Sequence, residues 1–277
     1  MKSTTASIAG KAGIALLLQS TAFAVFSGSD NFNDNSKDTA KWDTDQGFVM
    51  PSGTAGVLTE INGRLQFSST STGDTYEARP WKLNFGSYTS NWDIQLDTVI
   101  PGDSGANKGV GFGLEIWSTT NPNLYVGIEH ANFGRAPEYD SYRGTAPNQT
   151  LDTSFDSNAL TGGAVRISFN AATKVLTTFF DADGPSNGYQ WTFNASYGIA
   201  GSGGATGTTN WGMSAADTFS AVPFGYSSGV AATAGQVYGD NFIATPEPSV
   251  VALFFSASLL LGVRRRSAIR MSPAPGG

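Results

Sequence analysis

The chain has 277 residues, a formal net charge of −6, one histidine (His130) and no cysteine. Disulfides, thiolate catalysis, iron–sulfur clusters and cysteine-ligated zinc are thereby excluded, and a multi-histidine metal site is impossible. Six of the sixteen basic residues (Lys2, Lys11, Arg264, Arg265, Arg266 and Arg270) sit near the two ends, leaving ten bases against twenty-two acids elsewhere; so acidic a body repels phosphate backbones, and no nucleic-acid partner is expected.

Residues 1–24 carry lysines at positions 2 and 11, an apolar stretch from Ile14 to Leu18, and the small-x-small sequence Ala22-Phe23-Ala24. That order predicts a secretory signal peptide, cut by signal peptidase after Ala24. An amphipathic first helix would need polar residues between Ile14 and Leu18, and there are none.

Residues 25–244 read as one β-domain. Trp92, Ile94, Leu96, Thr98 and Ile100 alternate with Asp93, Gln95 and Asp97 in the manner of a half-buried strand. The same period recurs in Phe112-Leu114-Ile116, Leu124-Val126-Ile128 and Val165-Ile167-Phe169. "NAATK" before Val175 predicts a hairpin connection, and "DADGPSNG" from Asp181 to Gly188 a tight turn rather than a calcium loop. "SDNF" at Ser29–Phe32 and "GDNF" at Gly239–Phe242 echo each other, which is expected if the first and last strands lie side by side. A β-sandwich is the natural architecture for a region without useful helical periodicity.

The stretches "DNFNDNSKDTAKWDT", "NGRLQFSS", "VRISFNAATKVLTTFFDADG" and "VYGDNFIA" resemble the concanavalin A-like (laminin-G/glucanase-type) jelly rolls. The resemblance implies an all-β sandwich of two curved antiparallel sheets, a carbohydrate-binding concave face and, in some members, a calcium ion.

Parity proposes a site. With Phe112, Leu114, Ile116, Val126 and Ile128 facing the core, Glu115, Trp117, Tyr125 and Glu129 share the other face of their sheet, and Arg166 joins them if its strand belongs there. Aromatic rings beside hydrogen-bonding groups suit the apolar faces and hydroxyls of sugars; the same rings can also be cross-strand packing pairs. Glycosidases of the resembled superfamily carry two glutamates on one strand. Around Glu115 the same-face neighbours are Gly111, Gly113, Trp117 and Thr119, so no catalytic pair is assigned and a non-enzymatic protein is expected. His130, on the apolar parity, is expected to be partly buried and hydrogen-bonded. Asp30, Asp34, Asp38 and Asp240 are candidate calcium ligands near the paired termini.

At the C-terminus, Pro246-Glu247-Pro248 precedes an uncharged run from Val250 to Val263 and the triplet Arg264-Arg265-Arg266. A helix over that run spans only about 21 Å against a hydrocarbon core of about 30 Å. Snorkelling arginines narrow the gap and hold the end in the cytoplasm. The three-part order resembles the PEP-CTERM sorting tail, over residues 245–270 with a transmembrane helix at about 249–263. It implies recognition and processing by an exosortase. Residues 271–277 are expected to be a disordered tail. The reading as a whole is an exported protein, anchored in the inner membrane as a precursor and then moved to the cell surface or extracellular matrix. Its lectin-like domain is expected to bind extracellular polysaccharide; a secreted glycoside hydrolase or lyase, and a structural matrix protein without a small ligand, are the alternatives.

Overall fold

The structure is a computed structural model that describes residues 28–43, 56–70, 72, 75–78, 81–102, 105, 108–134, 136–145, 148–156 and 160–246. The predicted signal peptide, Glu247 and Pro248, the transmembrane run and the arginine triplet lie outside them. In chain order the strands are β1 (Gly56–Glu60), β2 (Leu65–Ser69), β3 (Thr75–Ala78), β4 (Leu83–Ser87), β5 (Trp92–Val99), β6 (Gly109–Ser118), β7 (Leu124–Asn132) and β8 (Glu138–Thr145). There follow β9 (Asn148–Asp156), β10 (Gly162–Asn170), β11 (Val175–Asp181), β12 (Thr192–Gly198), β13 (Gly207–Thr208), β14 (Thr218–Ser228) and β15 (Val237–Pro246).

They form two sheets. Sheet I has the order β1-β2-β15-β5-β10-β11-β12-β13; sheet II has β3-β14-β6-β7-β8-β9, with β4 also paired to β14. Every described pairing between strands is antiparallel except β12 with β13. The chain changes sheets repeatedly, so runs of consecutive strands are joined by pairings between strands far apart in sequence, and the last strand sits inside sheet I between β2 and β5.

Alternation explains the layers. On β5, Trp92, Ile94, Leu96 and Thr98 are buried while Asp93, Gln95, Asp97 and Val99 are half-buried, as predicted. Their rings and branches meet Phe112, Leu114, Ile116, Val126 and Ile128 of sheet II in one core. Trp92 stands edge-on to Phe85 and Phe219 at 4.7 and 5.0 Å and stacks on Phe169 at 5.4 Å, giving that end of the core its directional packing. The predicted hairpin runs from Asn170 to Lys174: the Asn170 side chain accepts hydrogen bonds from the Ala172 and Thr173 amides, and Lys174 takes a left-handed φ of 56°. The "DADGPSNG" stretch is a turn containing a single 3-10 turn, Gly184–Asn187, opened by Pro185.

The two echoed tetrapeptides meet. Asp30 bridges Phe242 in antiparallel fashion, its amide donating to the Phe242 carbonyl at 2.7 Å. Phe32, Trp42, Trp81 and Phe242 then close into one aromatic cluster that fastens residues 28–43 to the sandwich. β15 continues through Pro246, which pairs with Trp92, so the first proline of the tail motif lies within a strand of sheet I.

Two buried titratable groups work against each other. His130 is fully buried rather than partly so: Thr98 Oγ1 lies 3.2 Å from Nδ1, Leu160 O 3.3 Å from Nε2, and the Tyr139 ring stacks at 4.5 Å. Burial pushes its pKa down to about 3. The folded state therefore resists a proton that the unfolded chain accepts below about pH 6.5, and stability drains as the pH falls through that window. Glu60 at the end of β1 behaves oppositely. Burial first, then the neighbouring carboxyls of Asp34 and Asp30, push it up to about 7. Its stabilising contribution is complete below about pH 4.5 and is lost as pH rises toward 7. Between pH 4.5 and 6.5 the two slopes oppose. We expect Glu60→Gln to expose the histidine slope, losing about 2 kcal/mol between pH 6.5 and 4.5 where the parent changes less. Urea unfolding of both proteins across that range measures it.

Candidate functional site

The core-facing side chains of β6 and β7 leave Gly111, Gly113, Glu115 and Trp117, and Tyr125, Gly127, Glu129 and Ala131, on the outer side of sheet II. Register puts Glu115 opposite Gly127, Gly113 opposite Glu129 and Trp117 opposite Tyr125. Trp117 and Tyr125 stack at 4.6 Å with an interplanar angle of 23°. They form a second apolar cluster with Tyr142, Val222, Phe224 and Tyr226, separate from the core between the sheets.

Glycines make this face possible. The ring of Tyr142 on β8 lies over Gly127, where a Cβ would come within 2.4 Å of Cζ. Tyr125 lies over Gly144 in the same way, and Tyr226 over Gly111. Only a residue without a side chain lets each ring lie flat on the neighbouring strand. Because Gly127 leaves its position open, the Tyr142 hydroxyl reaches across β7 and donates to Glu115 Oε1 at 2.9 Å; Trp117 Nε1 donates to Oε2 at 2.8 Å. Glu115 is thus a fully buried carboxylate held in one orientation by two donors.

A row of acids continues beside it. Glu129 receives a long hydrogen bond from the Tyr226 hydroxyl at 3.4 Å and stands directly opposite Asp140 of β8. Directly opposed side chains have Cβ atoms about 4.5–5.5 Å apart and diagonal ones, such as Glu115 and Glu129, about 7–8 Å apart. Glu115, Trp117, Tyr125 and Glu129 are each at most 5% exposed.

Four of the five predicted glycan-face residues are therefore together. Arg166 is not. It lies on β10 of sheet I, where its guanidinium pairs with Asp93 at 2.8 Å and rests over the rings of Phe179 and Trp191 at 5.4 and 5.7 Å. Strand membership, which parity cannot reveal, separates it from the others. Sequence reasoning also missed Asp140, Tyr142 and Tyr226. The alternation Glu138, Asp140, Tyr142, Gly144 was the available signal, but with Ser141 and Arg143 on the inner side only Tyr139 marked that side as apolar.

The proposed calcium ligands do not converge. Asp30 accepts from the Phe32 amide, Trp42 Nε1 and Lys41 Nζ; Asp34 accepts from the Ser36 amide and Asp38 from the Ala40 amide; Asp240 accepts from the Asn241 amide. Each carboxylate serves its own turn, and among the described residues no group of three acidic or histidine side chains is placed to hold a metal ion.

No family model matches the chain, and no curated protein matches it in sequence. Solved structures are similar to it at low identity. It is similar to a bifunctional GH43-CE protein of Bacteroides eggerthii (11% identity, 82% of this chain and 27% of that one, TM-score 0.48). It is also similar to the β-glucanase of Bacillus licheniformis (12% identity, 78% and 97%, TM-score 0.40). A third is a lectin from Bauhinia forficata in complex with GalNAc (14% identity, 63% and 90%, TM-score 0.36). The fold itself is an all-β arrangement of two antiparallel-rich sheets. The chain spans between 27% and 40% of the length of the first three structures it matches, and likeness at such identities concerns the fold alone. The expectation of a non-enzymatic protein is corrected to this extent: the solved structures this chain is similar to include GH43 proteins and a β-glucanase.

Proposed function

We propose that the chain is an exported, carbohydrate-active surface or matrix protein whose outer face of sheet II engages extracellular polysaccharide. The observation that carries this reading is the Trp117–Tyr125 stack set beside the oriented carboxylate of Glu115 and the opposed pair Glu129 and Asp140. Stacked rings offer a sugar's C–H face a partner, and adjacent carboxylates accept its hydroxyls. Since these groups are at most 5% exposed, a glycan reaches them only once the face is opened. The Pro246-Glu247-Pro248 motif with Arg264, Arg265 and Arg266 would deliver the domain, with signal peptidase and an exosortase as processing partners.

A second reading is favoured by the register. Glu129 and Asp140 are two carboxyls at directly opposed positions, the arrangement a glycosidase needs for an acid and a nucleophile or base. Co-sedimentation with a panel of extracellular polysaccharides, read alongside release of reducing ends, tests both. Glu129→Gln is expected to lower retention about tenfold, equivalent to about 1.4 kcal/mol, with the melting transition preserved. If cleavage occurs, the same variant abolishes it. Retention unchanged in Glu115→Gln and Glu129→Gln alike removes this face from consideration. Intact mass of the extracellular protein reads the two expected cuts, after Ala24 and near Pro246; cytosolic material with both ends intact overturns the sorting proposal.

A further inference from the structure

On the opposite side of the molecule, the paired chain ends build a cleft of about 830 Å³ against sheet I, lined by Asn31, Asn33 and Asp34 on one side and by Tyr189 and Asn241 on the other. That volume lies within the range of small-ligand sites. Its aromatic wall is pre-set. The Tyr189 ring stacks on Trp191 at 5.1 Å and 9°, and its hydroxyl donates to Asp97 Oδ1 at 2.8 Å. The other oxygen of Asp97 accepts from Asn241 Nδ2 at 2.9 Å, so one half-buried carboxylate fixes both the ring and the amide. Asn241 itself has a left-handed φ of 49° within the irregularity of β15 between Asp240 and Ile243. A bulge of this kind re-aims a side chain that a regular strand would send elsewhere.

We propose that this cleft is a binding subsite for an uncharged saccharide, distinct from the face of sheet II. A pyranose ring would lie on Tyr189, its hydroxyls meeting the amide oxygen of Asn241, the amides of Asn31 and Asn33, and the Asp34 carboxylate. The charge pattern selects a neutral sugar. The cation of the cleft, Lys41, is occupied by Asp30 at 3.2 Å and the Ser29 carbonyl at 2.9 Å. Asp34, at the exposed rim, accepts from the Ser36 amide at 3.1 Å. A uronate or sulfate would therefore meet a fixed negative charge and no available positive one.

The test titrates the full chain with cellohexaose, maltohexaose and a trigalacturonate by isothermal titration calorimetry, in the parent and in the variants below. At least one neutral hexasaccharide is expected to bind, and trigalacturonate is expected to bind at least tenfold more weakly. Tyr189→Ala is expected to weaken binding about tenfold, while Tyr189→Phe stays within about threefold because the ring is retained. Asn241→Gly removes the amide but suits the positive φ, so it should weaken binding without lowering the melting temperature. Tyr189→Ala is expected to cost the same factor in a Glu129→Gln background as in the parent, which separates this site from the one proposed above. Absence of binding by both neutral sugars, equal binding of trigalacturonate, or affinity indifferent to Tyr189→Ala and Asn241→Gly overturns the proposal.

Discussion

Glu115→Ala is expected to destabilise the protein by about 3–5 kcal/mol, the larger part from the donors left behind and the rest from the cavity. In the parent, Trp117 Nε1 and the Tyr142 hydroxyl both point at this carboxylate inside a fully buried site. Alanine leaves two buried donors without that acceptor and frees both rings to move, which also undoes the Trp117–Tyr125 stack. Glu115→Gln is the informative companion, since it preserves volume and one acceptor while turning the other position into a donor that faces a donor; it should fall between parent and alanine. Denaturant unfolding with near-ultraviolet circular dichroism measures both the energy and the ring order. A loss under about 1 kcal/mol for alanine would mean that the donors find other partners at little cost.

Trp42→Ala is expected to be comparably severe, about 3–5 kcal/mol, because a large aromatic vanishes from a site with no exposure. Trp42 contacts Trp81 at 5.5 Å and Phe242 at 5.1 Å, and its Nε1 donates to Asp30 at 2.7 Å. It is therefore the bolt between residues 28–43 and the last strand. The damage should be local before it is global: hydrogen exchange is expected to accelerate at the Asp30 amide, which bonds Phe242, and at the Asp43 amide, which bonds Lys82, before it does so in β6 and β7. The sugar affinity of the cleft beside Asn31 should disappear with it.

Much of the fold was legible wherever one side of a strand is apolar. The alternation of Trp92 to Ile100, the turn chemistry of "NAATK" and the echo of "SDNF" in "GDNF" all correspond to observed features, because each is governed by local geometry. The strand Glu138–Thr145 was not legible: of its inward residues only Tyr139 is apolar, while Ser141, bonding Thr178 Oγ1 at 2.8 Å, and Arg143 stand where the pattern requires apolar groups. The site divides along the same line. Parity along β6 and β7 was enough to gather Glu115, Trp117, Tyr125 and Glu129, while Arg166 depended on whether β10 pairs with β5 or with a strand of the other sheet. That choice is made by long-range contacts. The aspartates once considered for calcium show the converse, since Asp34 and Asp38 serve amides two residues away and no composition argument distinguishes a turn from a ligand set.

The position of the last strand bears on how the protein is made. With Val237–Pro246 inserted between β2 and β5, sheet I stays split into two unjoined pieces until nearly the whole described chain has emerged. A nascent domain of this topology cannot lock early, so it remains threadable through a narrow conduit and becomes resistant to unthreading only when its final segment arrives.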